Sequence, residues 1–188
     1  MNPVRLIVGI TGASCTIYGV GLLQVLKQLG IETHLVVSKM GQEVVSHECG
    51  MALEELKELA TFYHDNDNLA APIASGSFKT DGMIIVPCSM KTLAAVANGL
   101  SNNLLTRAAD VVIKERRKLV VVPRETPLSL IHLENMTKLA KIGVTVMPAA
   151  PGFYHQPETI GDLVSIMVGR ILDQMDIENN LFTRWGEE

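Results

Sequence analysis

The sequence predicts an α/β domain in three layers, a parallel sheet flanked by helices on both faces. Three observations predict it. Short runs such as Leu6 to Ile10, Met83 to Pro87 and Leu119 to Pro123 are uncharged and unbroken by polar residues, as in strands covered on both sides. Between them lie longer segments whose apolar residues recur at helical spacing, the alternation expected of parallel strands joined by crossover helices. Two of the runs end in turns rich in small and hydroxyl residues.

With 188 residues, 47% of them apolar, the chain can bury a sizeable core, and residues 1–188 are expected to form one domain. The formal net charge of -4 supplies no general basic field, which argues against a nucleic-acid partner. Cys15, Cys49 and Cys88 are odd in number and lack C-x-x-C spacing. That argues against a disulfide framework and a structural metal site, and suits a reducing cytoplasm. The N-terminal apolar run is too short for a signal peptide and leads into an amphipathic helix. No segment approaches the roughly 20 apolar residues of a membrane span.

The first run ends in Thr11-Gly12-Ala13-Ser14. Gly12 and Ala13 let the backbone turn sharply and approach a ligand, while Thr11 and Ser14 bring hydroxyls to a place where helix N–H groups lack partners. Such a turn suits a phosphate, and equally serves as a plain tight turn. From Tyr18 to Leu29 the apolar residues keep helical spacing, and Gly30 marks the stop. Glu32 to Val37 reads as a second strand. Ser38 then stands at the same edge as Gly12, as a ligand contact, as the cap of a helix from Lys39 to Glu48, or as both.

A helix is expected over Ala52 to Ala60. Phe62 to Asn68, with His64, Asp65 and Asp67, reads as a solvated loop without metal-site spacing. Ala74 to Phe78 is a small-residue segment suited to closing over a site or to connecting elements. The run Met83 to Pro87 opens the second hydroxyl-rich turn, Cys88 to Thr92, before a helix through Ala97. Two such turns from one parallel sheet meet at one edge and suit a nucleotide-sized ligand. Cys88 lacks an assignable base and reads as a packed, inert cysteine.

A helix from Asn103 to Arg117 puts Arg107, Asp110 and Lys114 on one side, as an intrahelical ion-pair face or as a cationic site for a second phosphate. Arg124 and Glu125 end the next strand. The arginine is placed for bidentate phosphate contact, the glutamate as its partner or as a proton donor. Ser129 caps a helix to Lys141, and Gly143 to Met147 makes a fifth strand. Pro148, Pro151 and Pro157 punctuate a loop carrying Phe153, Tyr154 and His155. Thr159 to Met175 is the clearest amphipathic helix, with Arg170 at the edge of its apolar stripe. Trp185 is expected to pack against a partner or a neighbouring subunit.

As a set, Gly12-Ala13-Ser14, Cys88-Ser89-Met90-Lys91-Thr92, Arg107-Ala108-Ala109-Asp110-Val111, Lys114-Glu115-Arg116, Pro123-Arg124-Glu125-Thr126-Pro127, Ile131-His132-Leu133-Glu134-Asn135-Met136, Phe153-Tyr154 and Arg184-Trp185 resemble the UbiX-like flavin prenyltransferases, in order over almost the whole chain. The resemblance implies a Rossmann- or flavodoxin-like subunit that assembles into a homododecamer and binds FMN between subunits. It implies transfer of a dimethylallyl group from dimethylallyl phosphate to N5 and C6 of reduced FMN, without a metal. The product, prenylated FMN, serves a partner UbiD-like decarboxylase.

By the same resemblance Gly12, Ala13, Ser14, Ser38, Ser89, Met90, Lys91, Thr92 and Arg124 contact FMN. Tyr154 and Arg170 hold the prenyl phosphate. Arg107, Lys114 and Glu48 belong to that polar shell, some of it reached across the subunit interface, and Trp185 helps enclose the prenyl group. Ser14 is the catalytic hydroxyl and Glu125 the catalytic acid. These residue types suit the chemistry, since cations stabilise a departing phosphate and aromatic groups a developing allylic cation.

One departure stands out. The family commonly has glycine after the Gly-Ala-Ser turn, and this chain has Cys15, whose side chain restricts the loop or alters the flavin edge. Two alternatives remain in view. An FMN-dependent cysteine decarboxylase requires an early catalytic histidine and a substrate-clamping asparagine motif, and neither can be placed in this chain. A non-catalytic FMN carrier subunit of a decarboxylase complex leaves the cations and Glu125 without a purpose.

Overall fold

A computed structural model describes residues 4–186. In chain order the elements are β1 (Arg5–Ile10), α1 (Thr16–Gln28), β2 (Glu32–Val37), α2 (Lys39–Cys49), α3 (Leu53–Lys57), β3 (Phe62–His64), β4 (Gly82–Cys88), α4 (Met90–Ala97), α5 (Leu104–Lys114), β5 (Lys118–Pro123), α6 (Leu130–Lys141), β6 (Thr145–Val146) and α7 (Ile160–Gln174). A 3-10 turn occupies Pro72–Ala74. All strand pairs are parallel, in the order β3-β2-β1-β4-β5-β6. That is the Rossmann-type order, and it reverses direction between β1 and β4.

The unalternating runs have a direct cause. Neighbouring residues of a strand point to opposite faces, and both faces are covered. Leu6, Val8 and Ile10 meet Leu22 and Leu23 of α1 and Ile171 and Leu172 of α7 in one core. Ile7, Met83 and Ile85 meet Leu105 and Val112 of α5 and Leu139 of α6 in the other. Each such side chain contributes about 1.5–3 kcal/mol on full burial, so a polar residue on either face is costly. The chain leaves β1 toward the first layer and β4 toward the second, and a crevice opens between the two departures.

The sequence expectation fails at β3. Phe62 to His64 was expected within a solvated loop, yet these residues extend the sheet beside β2, with His34 opposite Phe62 and Val36 opposite His64. The cause is non-local. His34, only 3% exposed, stacks on Phe62 at 4.9 Å, and its Nδ1 lies 2.8 Å from His64 Nε2. Its Nε2 lies 2.9 Å from Glu32 Oε1, and Glu32 pairs with Arg5. The assignment that satisfies every atom has neutral His34 donating from Nε2 to the carboxylate and accepting at Nδ1 from His64 Nε2–H. No run of apolar residues marks such a strand.

Other boundaries shift less. α3 is shorter than expected, and α5 stops at Lys114, soon before Arg116 turns left-handed at φ 55. β6 is only two residues, although the N–H groups of Met147 and Ala149 still donate to β5 carbonyls at Val121 and Pro123. Among the described residues no helix is long and apolar enough to cross a membrane, and no group of three or more His, Cys, Asp or Glu gathers as a metal site.

Burial holds the His34 and His64 imidazoles below their ordinary pKa; the Glu32 carboxylate opposes this at His34 without overcoming it, while Arg5 disfavours protonation of His34 and His34 disfavours that of His64. Groups depressed in the folded state contribute stability that is complete above the unfolded histidine pKa of about 6.5 and is lost as pH falls below it. The urea midpoint is therefore expected to fall between about pH 7 and pH 5, and to fall less in a His34→Phe, His64→Phe double variant. An equally steep fall in the variant would place the titrating group elsewhere.

A candidate active site at the carboxyl edge of the sheet

The crevice between β1 and β4 is tied together by one hydroxyl. Thr11, 1% exposed, donates from Oγ1 to the Pro87 carbonyl at 2.8 Å and accepts from the Ser89 N–H at 2.7 Å. Its own N–H donates to the same Pro87 carbonyl. The turn after β1 is thereby fixed to the start of α4. On the other side the Ser38 N–H donates to the Ile10 carbonyl at 2.9 Å, and the Met40 backbone and Cβ lie so close to Gly12 that no Cβ fits there. Gly12, Ala13, Ser14, Ser38, Ser89, Met90, Lys91 and Thr92 are thus brought to one edge, as expected.

The capping reading of Ser38 holds, and Ser89 does the same. Ser38 Oγ accepts from the Gly41 N–H and Ser89 Oγ from the Thr92 N–H, so each caps its helix. The α2 and α4 N-termini consequently present their remaining N–H groups and positive dipole ends to the same crevice. Arg124 follows β5 there, its N–H directed at the Cys88 carbonyl and its side chain exposed. Among the described residues neither Lys91 nor Arg124 has a carboxylate partner, so both cations are available to an anion. Cys88 is fully buried, and burial pushes its thiol up to about 12, which makes it inert as expected.

Ser14 and Glu48 meet directly. The Ser14 hydroxyl donates to Glu48 Oε1, while the Thr16 N–H and hydroxyl both donate to Oε2 at 2.9 Å. Burial alone raises this carboxyl, but those donors, Ser14 foremost, hold it below the usual carboxylate range. Glu48 therefore stands beside the expected catalytic hydroxyl and supplies the α1 N-terminus with the cap that Cys15 does not. Thr16 was not singled out from sequence. No local signal marks it, because its partner lies 32 residues away.

Beyond the Ala149–Pro123 hydrogen bond, a cleft of about 660 Å³ opens between β6, the loop after it, and α7. Met147, Tyr154, Met167 and Arg170 line it. Trp185, 83% exposed, meets Tyr154 edge-on at 5.7 Å. Its placement follows from Asp173, whose carboxylate takes two hydrogen bonds from Arg184, at 2.8 and 3.0 Å. Arg184, aided by Asn179 and Arg170, keeps Asp173 below its ordinary pKa. With Asp173 so engaged, Arg170 is left at 3.8 Å and half exposed.

Three expected residues lie apart from this group. Glu125 is exposed after β5, and among the described residues its carboxylate accepts only from the Thr126 N–H. Arg107 and Lys114 belong to α5. Arg107 pairs with Asp110 at 2.7 Å, the ion-pair face expected from spacing, but Lys114 pairs with Glu115 instead of Asp110. Lys114 sits just before β5 begins, at the amino edge of the sheet.

The profile of the Flavoprotein family matches residues 1–172. A flavin prenyltransferase UbiX of Halalkalibacterium halodurans is 52% identical over 191 residues, covering 96% of this chain and 93% of that one. Among solved structures, AnUbiX in complex with FMN and dimethylallyl pyrophosphate superimposes with a TM-score of 0.97 at 44% identity, over 98% of both chains.

The chain belongs to the UbiX flavin prenyltransferase family.

A dodecameric FMN-dependent UbiX-like decarboxylase from Escherichia coli has a TM-score of 0.94 at 50% identity, over 96% of this chain and 98% of that one. The peptidyl-cysteine decarboxylase EpiD, at 20% identity and a TM-score of 0.66 over 92% of this chain, shares the fold alone.

Cys15, where the resemblance led glycine to be expected, is the informative position. It adopts φ 76 and ψ 32, a left-handed conformation that glycine takes without penalty. The turn thus holds a cysteine in a geometry suited to glycine. A non-glycine residue there costs about 1–3 kcal/mol, and glycine gives back about 0.5–1 kcal/mol in the unfolded chain. Cys15→Gly is therefore expected to stabilise the protein by about 1 kcal/mol in denaturant unfolding. A loss of stability would mean that the packing of the thiol against α1 outweighs the backbone strain.

Proposed function

We propose that the chain is a flavin prenyltransferase, acting in the cytoplasm as a single flavoprotein domain within a homo-oligomer, a dodecamer like its relative from Escherichia coli. It takes dimethylallyl phosphate and reduced FMN and delivers prenylated FMN to a UbiD-like decarboxylase. One observation carries the reading. The same chain carries, at the carboxyl edge of its sheet, an edge rich in hydroxyls, helix N-termini and cations without a carboxylate partner among the described residues, and, between β6 and α7, a cleft lined by Tyr154 and Arg170, with Trp185 against Tyr154.

The donor set fits FMN. Ser38, Ser89 and Thr92 with the α2 and α4 N-termini suit its polar edges, and Lys91 and Arg124 suit its phosphate. When bound, reduced FMN supplies the nucleophilic N5 and the C6 that close the new ring. Arg170 and the Tyr154 hydroxyl bind the prenyl phosphate, and Arg170 stabilises the negative charge that grows as the carbon–oxygen bond breaks. The rings of Tyr154 and Trp185 border the allylic group, exclude water and favour positive charge on carbon.

Proton movement falls to two carboxylates. Glu48, held ionised, accepts the hydrogen bond of Ser14 Oγ, which makes that hydroxyl a relay able to accept a proton as it passes its own to Glu48. Glu125 is the exposed acid of the β5 edge. Arg107 and Lys114 serve the phosphate shell of another copy. Exposed Leu128, Leu130, Ile131 and Leu133 before and on α6 support such assembly.

Anaerobic incubation of the purified protein with reduced FMN and dimethylallyl phosphate, with mass analysis of the released flavin, is expected to show a gain of one five-carbon unit. Unmodified flavin with FMN bound would favour the carrier reading. Ser14→Ala, Glu48→Gln and Glu125→Gln are each expected to lower turnover about a hundredfold with FMN affinity retained. Turnover at the rate of the natural chain would remove that residue from the proton path.

A further inference from the structure

We propose that the segment Ala74 to Phe78 is a positioning strap for the cations of α5, with Gly76 as its deciding residue. The inference rests on the reading above that Arg107 and Lys114 serve the prenyl phosphate held at another copy of the chain.

The segment runs along α5 and is bound to it by its carbonyls. Arg107 Nε donates to the Ala74 carbonyl at 3.1 Å. Arg117, just past the helix, donates to the Gly76 carbonyl at 2.6 Å and to the Phe78 carbonyl at 2.8 Å. Ser75 and Ser77 bond to each other at 2.9 Å, and Ile73, 1% exposed, anchors the preceding turn. Arg107 thus spends Nε on the strap and one terminal nitrogen on Asp110, which aims the guanidinium while its other terminal nitrogen stays open to a ligand.

Lys114 is handled differently. It donates to no strap carbonyl, and its partner is Glu115. The pair lies directly over Gly76, where an added Cβ would stand 2.7 Å from Lys114 Nζ and closer still to Glu115 Oε1. The missing side chain makes the seat in which the ammonium rests. Lys114 is 47% exposed and carries four rotatable bonds, so a seated ammonium loses less freedom when it meets a phosphate. The strap itself needs no glycine, since the three nearest atoms that a methyl would meet belong to the ends of two flexible side chains, Lys114 and Glu115. Gly76→Ala therefore displaces the Lys114–Glu115 pair and leaves the backbone in place.

Steady-state prenyl transfer is measured for the natural chain, Gly76→Ala, Lys114→Ala, Glu115→Ala and the Gly76→Ala, Glu115→Ala double variant, with FMN affinity and thermal midpoint for each. Gly76→Ala is expected to raise KM for dimethylallyl phosphate about tenfold, with kcat, FMN affinity and thermal midpoint little changed. In the Glu115→Ala background, where the nearest obstructing atoms are gone, the same change is expected to raise KM less than about threefold. If Lys114→Ala raises KM and Gly76→Ala does not, the strap does not position the lysine. A fall in thermal midpoint and FMN affinity alongside KM would make the strap merely structural, and overturn the proposal. An unchanged KM in Lys114→Ala would overturn the reading of α5 itself, and the inference with it.

Discussion

The arrangement of the site depends on the buried hydroxyl of Thr11. At the point where the strand order reverses, β1 and β4 send their chains to opposite faces, and nothing in the regular ladder continues to hold them together. Thr11 replaces the lost ladder bonds by donating to Pro87 and accepting from Ser89. A buried polar group left without partners costs about 1–3 kcal/mol, so the hydroxyl and the two backbone groups enforce one another's positions. The turn after β1 and the α4 N-terminus are consequently set by a single residue. Ser38 and Met40 fix α2 against the same turn.

Charge follows a consistent division around this frame. Carboxylates near the site are saturated by particular donors. Glu48 takes Ser14 and Thr16, and Asp173 takes Arg184. Because each acid is engaged, the cations facing the crevice and the cleft, Lys91, Arg124 and the loosely paired Arg170, keep most of their charge for a ligand. On α5 the reverse holds, with Arg107 and Lys114 each closely paired. An exposed pair contributes little stability of its own, so these partners hold the two cations in place more than they stabilise the fold.

Much of the fold was legible from single stretches. β1, β4 and β5 announce themselves because burial on both faces demands an apolar residue at every position. The capping serines at 38 and 129 were legible because the helix needs an acceptor at its first turn wherever the rest of the chain goes. β3 was not legible, for the opposite reason. Its polar residues are ordered by His34, which reaches them from another strand. Lys114 was likewise expected from helical spacing to share Asp110, but Gly76 leaves room for Glu115 to take it.

The candidate site divides along the same line. Sequence by itself determined the parallel α/β class, the two hydroxyl-rich turns, and the family through motifs spread over the chain, because each is a property of contiguous residues. Tertiary structure alone decided that Ser14 meets Glu48, that Trp185 lies on Tyr154, that Cys15 occupies a glycine conformation, and that Arg107 and Lys114 stand apart from the cleft. Those facts depend on distances between residues far apart in the chain. A side chain's type states what it can bond to, and only the packed sheet and its crossovers state what comes within reach.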